Sequence, residues 1–192
     1  MSVEAYDQTL LEHEMKTDFA GKSAVVTGAA HGFGRAICLE LAEKGAQVWA
    51  VDILEDELAE TAHLCSQAGS QCHPRVVDIT QPTGVQALIK EVCSVCDKVD
   101  ILVNNAGRGN LASVEDTTPE QLQNIFGVNV FSLWYMTGPA LKHMKAKGSG
   151  HIINIASVAG TMGFPFNSAY VAAKHAVMGF TASLRAELAG SN

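Results

Sequence analysis

Five short runs of apolar residues recur along the chain, near 23–27, 47–52, 72–77, 99–103 and 151–156, and the segments between them carry helical periodicity. Each run is of strand length, and each is bounded by turn-forming residues. Ser23-Ala24-Val25-Val26-Thr27 leads into Gly28-Ala29-Ala30-His31-Gly32-Phe33-Gly34 and then a helical stretch, Arg35 to Lys44, closed by Gly45. Thr118-Pro119 followed by Gln121 gives a capping box with proline at the first helical position, so a helix starts there. Gly138-Pro139 predicts a kink in it. A last helix is predicted from Ala169 to Ala189. Strictly alternating strands and helices read as an α/β fold with a parallel sheet covered on both faces. Right-handed crossovers then give a doubly wound sheet in the order 3-2-1-4-5, with a ligand crevice beyond the carboxyl ends of the strands. Asn104 to Gly107 and Ser157 fall at such ends. No internal repeat or low-complexity linker is visible.

Composition narrows the class. A chain of 192 residues with 47% hydrophobic content suffices for one well-cored domain. Its formal charge of −7 argues against a nucleic-acid surface, which needs clustered Lys and Arg. No apolar run approaches the roughly 18 to 20 residues of a membrane span. Residues 1–18 are acidic, lack a signal-peptide pattern and are expected to be a loosely held extension, with Met15 an alternative start and 19–192 the nucleotide-binding domain. Five cysteines at irregular spacing fit reduced thiols in a cytoplasmic protein. Cys93-x-x-Cys96 and the group His63, Cys65, Cys72 and His73 have no second Cys-x-x-Cys beside them, so no metal site is expected.

Two devices carry chemistry. Tyr170 and Lys174 lie four apart, on one face of a helix, where the ammonium can favour the phenolate by charge. That matters because an unperturbed tyrosine, with a pKa of about 10, is a poor acid/base near neutrality. The second device is the turn after the first strand. Its glycines let the backbone approach a pyrophosphate, and the following helix N-terminus adds positive potential. The spacing Gly28-x-x-x-Gly32-x-Gly34 differs from the common Gly-x-Gly-x-x-Gly, but the strand-turn-helix context is right. Gly21-Lys22-Ser23 resembles a P-loop ending, yet Lys16 holds the required upstream glycine position. Asp52 ends the second strand 24 residues after Gly28, close to where an acidic residue accepts from the adenosine ribose hydroxyls. It favours NAD over NADP, since a 2′-phosphate would meet like charge and the next residue is the neutral Ile53; His31 and Arg35 lie near enough in sequence to soften the preference.

The set Thr27-Gly28-x-x-x-Gly32-x-Gly34, Asp78, Asn104-Asn105-Ala106-Gly107, Asn129, Ser157 and Tyr170-x-x-x-Lys174 resembles the short-chain dehydrogenase/reductase family, over residues 19–190. The resemblance implies a Rossmann-type fold in which Gly28, His31, Gly32, Phe33 and Gly34 cradle the dinucleotide. Asp52 and Ile53 would meet the adenosine ribose, Asp78 with Ile79 the adenine, and Asn105, Ala106 and Gly107 would lie along that ribose. It implies a tetrad of Asn129, Ser157, Tyr170 and Lys174, with Tyr170 and Lys174 also touching the nicotinamide ribose. Read alone, Asp78 equally suits a cap for the helix after Gln81-Pro82, the Asn-Asn-Ala-Gly run a plain turn, and Asn129 a helix residue bonded to backbone. The implied reaction is hydride transfer between NAD and a secondary alcohol or ketone. Tyr170 would take the hydroxyl proton, Ser157 would bond the same oxygen, and Asn129 would position a relaying water. Met162, Phe164, Pro165, Phe166 and Leu111 suggest an apolar pocket wall or plain core. Family members usually pair the helices carrying Asn129 and Tyr170, giving a homodimer or homotetramer. They also continue past position 192 into further strands and a substrate-covering segment. A chain stopping at Asn192 would therefore leave the fifth strand as a sheet edge, with poor stability and little activity, and a longer chain would be the working dehydrogenase. The rival readings are a non-catalytic nucleotide-binding protein of this fold and another enzyme type, such as a methyltransferase, that shares the glycine turn but has no need of a Tyr-Lys pair.

Overall fold

The computed structural model describes residues 19–190; the expectations for residues 1–18 and Met15 lie outside them. Five parallel strands, β1 (Ser23–Thr27), β2 (Gln47–Asp52), β3 (Cys72–Val76), β4 (Ile101–Asn104) and β5 (His151–Asn154), pair in the order β3-β2-β1-β4-β5. Between them run α1 (Gly32–Glu43), α2 (Glu55–Gln67), α3 (Pro82–Cys96), α4 (Pro119–Phe126), a π-helical turn over Gly127–Phe131 and α5 (Ser132–Lys147). A 3-10 turn (Val158–Gly160) and α6 (Ser168–Glu187) follow β5.

The strands read as continuous apolar runs because both faces of the sheet are buried. Ala24, Val26, Val48, Ala50, Ile101 and Val103 face Cys38 and Leu41 of α1 and Leu58 and Cys65 of α2. Val25, Trp49, Val51 and Leu102, which alternate with them, face Val85, Leu88, Ile89 and Val92 of α3 and Met136, Ala140 and Met144 of α5. The helices change sides between β3 and β4, so β1 and β4 sit together at the point where strand order reverses. Ligand crevices of open α/β sheets form there.

Several boundaries shift for visible reasons. The first helix starts inside the glycine turn at Gly32 and not at Arg35, with His31 extended as its cap. β5 stops at Asn154 and not at residue 156, because the next carbonyl, that of Ile155, accepts from Lys174 Nζ at 2.9 Å. The helix begun by the Thr118 capping box loses α geometry at Gly127–Phe131, and Pro139, where the kink was expected, lies inside α5. Gln81 caps α3 without a side-chain bond; Asp78 instead accepts from Thr80 N–H and Oγ1 at 2.9 and 2.7 Å, closing a turn of its own. At one sheet edge, β3 carries Pro74, a residue an edge strand tolerates. At the other, β5 pairs with β4 alone among the described residues. A groove of about 890 Å³ lined by Leu141, Met144, Ile152, Asn154, Leu184 and Leu188 runs beside it.

A buried carboxylate fastens β1 to β4. Asp100 Oδ2 accepts from Ser23 N–H at 3.0 Å, and Asp100 Oδ1 pairs with Lys98 at 3.1 Å and Lys22 at 3.6 Å. Burial opposes its ionisation, but the Ser23 amide and the two lysines outweigh that and hold the acid below the ordinary aspartate range. Because the folded state depresses this pKa, the stabilisation is present above the unfolded value near pH 4 and fades as pH falls through the lower folded value. Asp100→Ala, which leaves the buried Ser23 amide unpaired, is expected to cost about 1–3 kcal/mol at neutral pH. Urea unfolding at pH 7 and at pH 3 should show this gap narrowing in acid.

Candidate active site

The glycine turn is shaped by contacts that a side chain would prevent. Gly28 has φ +67°, and a Cβ there would stand 2.8 Å from Ala106 Cα; one at Gly34 would fall 1.9 Å from the Gly28 carbonyl oxygen. Thr27 and Asn105 staple this turn to the loop after β4. Thr27 Oγ1 accepts from the N–H groups of Asn105 and Ala106 at 3.0 and 3.1 Å, and Asn105 Nδ2 donates to the carbonyls of Thr27 and Gly28 at 2.9 and 3.2 Å. Deeper in the sheet, Asn104 donates to Asn154 Oδ1 at 2.8 Å, and Asn154 donates to Thr181 of α6 at 3.0 Å.

Asp52 turns its carboxylate back over the same loop, accepting from Ala30 N–H at 3.0 Å and from Ile53 N–H at 2.7 Å. Ile53 is 63% exposed, and His31 and Phe33 are exposed on the glycine turn. Arg35 is not free at this place: its guanidinium donates to the Ala30 carbonyl, Thr61 Oγ1 and the Glu57 carbonyl and pairs with Glu60 at 2.8 Å. Asp78 is exposed at the end of β3, whereas the Ile79 side chain is in the core, so Ile79 offers the crevice only its backbone.

Three of the four candidate catalytic side chains, those of Asn129, Lys174 and Tyr170, converge on Gly107 to Gly109. A Cβ at Gly107 would stand 3.1 Å from Asn129 Oδ1 and 3.5 Å from Lys174 Nζ, and one at Gly109 would stand 3.5 Å from the Tyr170 ring. Lys174 Nζ lies 5.6 Å from the Tyr170 ring centroid. Lys174 is only 4% exposed, and that burial pulls its pKa below the ordinary lysine value. Asn129 sits in the π turn, a geometry often found at functional sites. Its amide is committed to backbone, donating to the carbonyls of Arg108 at 2.6 Å and Ile125 at 2.8 Å and accepting from Arg108 N–H at 3.3 Å. Ser157 Oγ caps the 3-10 turn by accepting from Ala159 N–H at 3.1 Å, and that turn packs so closely on α6 that a Cβ at Gly160 would stand 2.8 Å from the Lys174 carbonyl.

The apolar residues expected as a pocket wall or core are surface. Leu111 is 80% exposed and Phe166 66%, with Met162, Phe164 and Pro165 also exposed. Phe166 holds φ +58°, and its carbonyl accepts from Ala112 N–H at 2.9 Å, joining the two loops that carry this patch. Arg108, a basic residue directly after Asn-Asn-Ala-Gly, is exposed on the loop after β4. Among the described residues, no group of three or more His, Cys, Asp or Glu is placed to hold a metal ion, and no helix is long and apolar enough to cross a membrane.

Known proteins resemble this chain in sequence and in fold. The profile of the short chain dehydrogenase family matches residues 22–192. Estradiol 17-beta-dehydrogenase 11 of Rattus norvegicus is 35% identical over 187 residues, covering 97% of this chain and 62% of the rat protein. The chain thus spans less than two thirds of that relative's length. D-beta-hydroxybutyrate dehydrogenase of Rhizobium meliloti is 40% identical over 175 residues, covering 88% of this chain and 67% of that protein. In three dimensions the crystal structure of NAD+-bound xylitol dehydrogenase superposes with a TM-score of 0.86 at 30% identity, over 89% of this chain and 66% of that one. A five-stranded sheet in the order 3-2-1-4-5, with the glycine turn and the Tyr170–Lys174 helix at its carboxyl edge, is therefore accompanied by family-wide sequence similarity, and the chain belongs to the short-chain dehydrogenase family.

Proposed function

We propose that this site transfers hydride reversibly between NAD and a secondary alcohol or its ketone, with Tyr170 as general acid/base. The observation that carries this reading is the meeting of Tyr170, Lys174 and Asn129 on the loop after β4, beside the glycine turn. The crevice suits a dinucleotide: Gly28 and Gly34 let the turn close tightly on Ala106 and on its own backbone, Gly32 has open space where a Cβ would stand, and Asp52 presents a carboxylate at the end of β2. Gly28, His31, Gly32, Phe33 and Gly34 would hold the pyrophosphate, Asp52 and Ile53 the adenosine ribose, Asp78 and the Ile79 backbone the adenine, and Asn105, Ala106 and Gly107 the loop side. When bound, NAD supplies the hydride acceptor.

In the oxidation direction Tyr170 takes the carbinol proton while Ser157 Oγ bonds the same oxygen. The buried Lys174 ammonium, 5.6 Å from the ring centroid, stabilises negative charge on Tyr170. Asn129 fixes the π turn to Arg108, keeping the loop in place beside Lys174. The substrate is a small molecule reaching Tyr170 past Leu111, Met162 and Phe166. The working unit is a homodimer or homotetramer joined through the π turn, α5 and α6, where Phe131, Trp134 and Met178 are exposed and Trp134 packs edge-on against Phe180 at 4.5 Å.

NAD is favoured over NADP for two reasons: Asp52 would repel a 2′-phosphate, and Arg35 is occupied by Glu60 and backbone carbonyls. Asp52→Ala combined with Ile53→Arg removes the repulsion and adds a bidentate partner. Fluorescence titration should show the NADH-to-NADPH preference falling about tenfold or more, roughly 1.4 kcal/mol. A wild type that already binds NADPH more tightly than NADH contradicts the assignment of Asp52.

A further inference from the structure

The loop after β4 sets the main chain of an arginine beside the proton-transfer pair. Arg108 is held by its backbone, whose N–H donates to Asn129 Oδ1 at 3.3 Å and whose carbonyl accepts from Asn129 Nδ2 at 2.6 Å. Its neighbours on either side are Gly107, against Lys174 Nζ, and Gly109, against the Tyr170 ring. The main chain of Arg108 is thereby fixed close to Tyr170. Its exposed side chain, like that of Arg185 on α6, makes no hydrogen bond or ion pair among the described residues, whereas Arg35 and Arg75 are spent on Glu60 and Glu91; Arg108 differs from Arg185 in standing on the loop that meets Tyr170 and Lys174. Carboxylates are nearby on the same loop, but Asp116 accepts from Ser113 at 2.6 Å and neither it nor Glu115 pairs with Arg108. In a chain with 20 acidic residues against 13 basic ones, an unpaired guanidinium at this place is not explained by a surplus of cations.

We propose that Arg108 determines specificity by binding the carboxylate of the substrate, so that the preferred substrate is a secondary alcohol or ketone carrying a carboxylate a short spacer from the reacting carbon. This rests on the hydride-transfer reading of the site. The planar fork of arginine matches a carboxylate bidentately. A doubly charged phosphate would draw a second cation, and Lys174 is buried with its Nζ donating to the Ile155 carbonyl. The exposed Leu111, Met162 and Phe166 give the uncharged part of the substrate apolar contact.

Calorimetric titration of the NADH-bound protein with β-hydroxybutanoate and with its methyl ester tests this, since neither alcohol can be oxidised in that complex. Wild type should bind the carboxylate about tenfold or more tightly than the ester, the scale of a charge-assisted bidentate pair. Arg108→Gln should erase the preference, Arg108→Lys should keep part of it, and NADH affinity should hold in both. Equal binding of acid and ester, no binding of either, or a preference that survives Arg108→Gln overturns the proposal. So does Arg108→Gln weakening NADH instead, which would put the guanidinium on the dinucleotide phosphates. A wild type that prefers the carboxylate in titration but reduces NAD with neither alcohol upholds the Arg108 site and overturns the hydride-transfer reading.

Discussion

Tyr170→Phe is expected to lower alcohol oxidation by about 10² or more while NADH binding stays nearly intact, the scale of losing a general acid/base. The substitution removes one oxygen and keeps the ring that packs against Gly109. Lys174 keeps its bond to the Ile155 carbonyl, so on the dinucleotide side the change costs no more than the Tyr170 hydroxyl's contact with the ribose. Steady-state kinetics and NADH titration on the same preparation separate the two effects. Equal turnover by mutant and wild type would remove Tyr170 from the chemistry, and parallel loss of turnover and NADH binding would make its role structural.

Gly34→Ala is expected to abolish measurable dinucleotide binding, and to destabilise the fold by about 1–3 kcal/mol as an overpacked site does. A methyl there would fall 1.9 Å from the Gly28 carbonyl oxygen and 2.7 Å from Asn105 Nδ2. Neither neighbour can yield cheaply. The first is backbone at positive φ, and the second is the amide that bonds the Thr27 and Gly28 carbonyls. Moving either opens the staple between the turn and the loop after β4, on which Lys174 and Asn129 also converge. Gly163→Ala, with open space around it and no positive φ, is the matched control and should leave NADH affinity unchanged. Wild-type NADH affinity in Gly34→Ala would mean that the tight turn is not what holds the dinucleotide.

The strand order and the strand-turn-helix unit around Gly28 were legible in the sequence because they rest on local patterns: apolar runs, glycine spacing and the capping box at Thr118. What was not legible depends on long-range partners. Arg35 reads as a free cation near Asp52 until α2 brings Glu57, Glu60 and Thr61 to it. The end of β5 is set by Lys174, 19 residues beyond Ile155, claiming that carbonyl. The π turn at Gly127–Phe131 has no residue signature comparable to a proline, so the break was expected at Pro139. At Asn129 the structure shows the backbone-bonded reading: its amide bonds Arg108 and Ile125, and its Oδ1 stands beside Gly107, next to Lys174, a placement no local pattern announces.

Hydride transfer itself is tested most directly by isotope. The protein is incubated with NAD and secondary alcohols deuterated at the carbinol carbon, among them β-hydroxybutanoate, and the reduced dinucleotide is analysed by mass spectrometry. The account predicts NADH carrying the deuterium, formed with wild type and formed about 10² or more slowly with Tyr170→Phe. Reduced dinucleotide without the label, or none with any secondary alcohol from a protein shown to bind NAD, would contradict it.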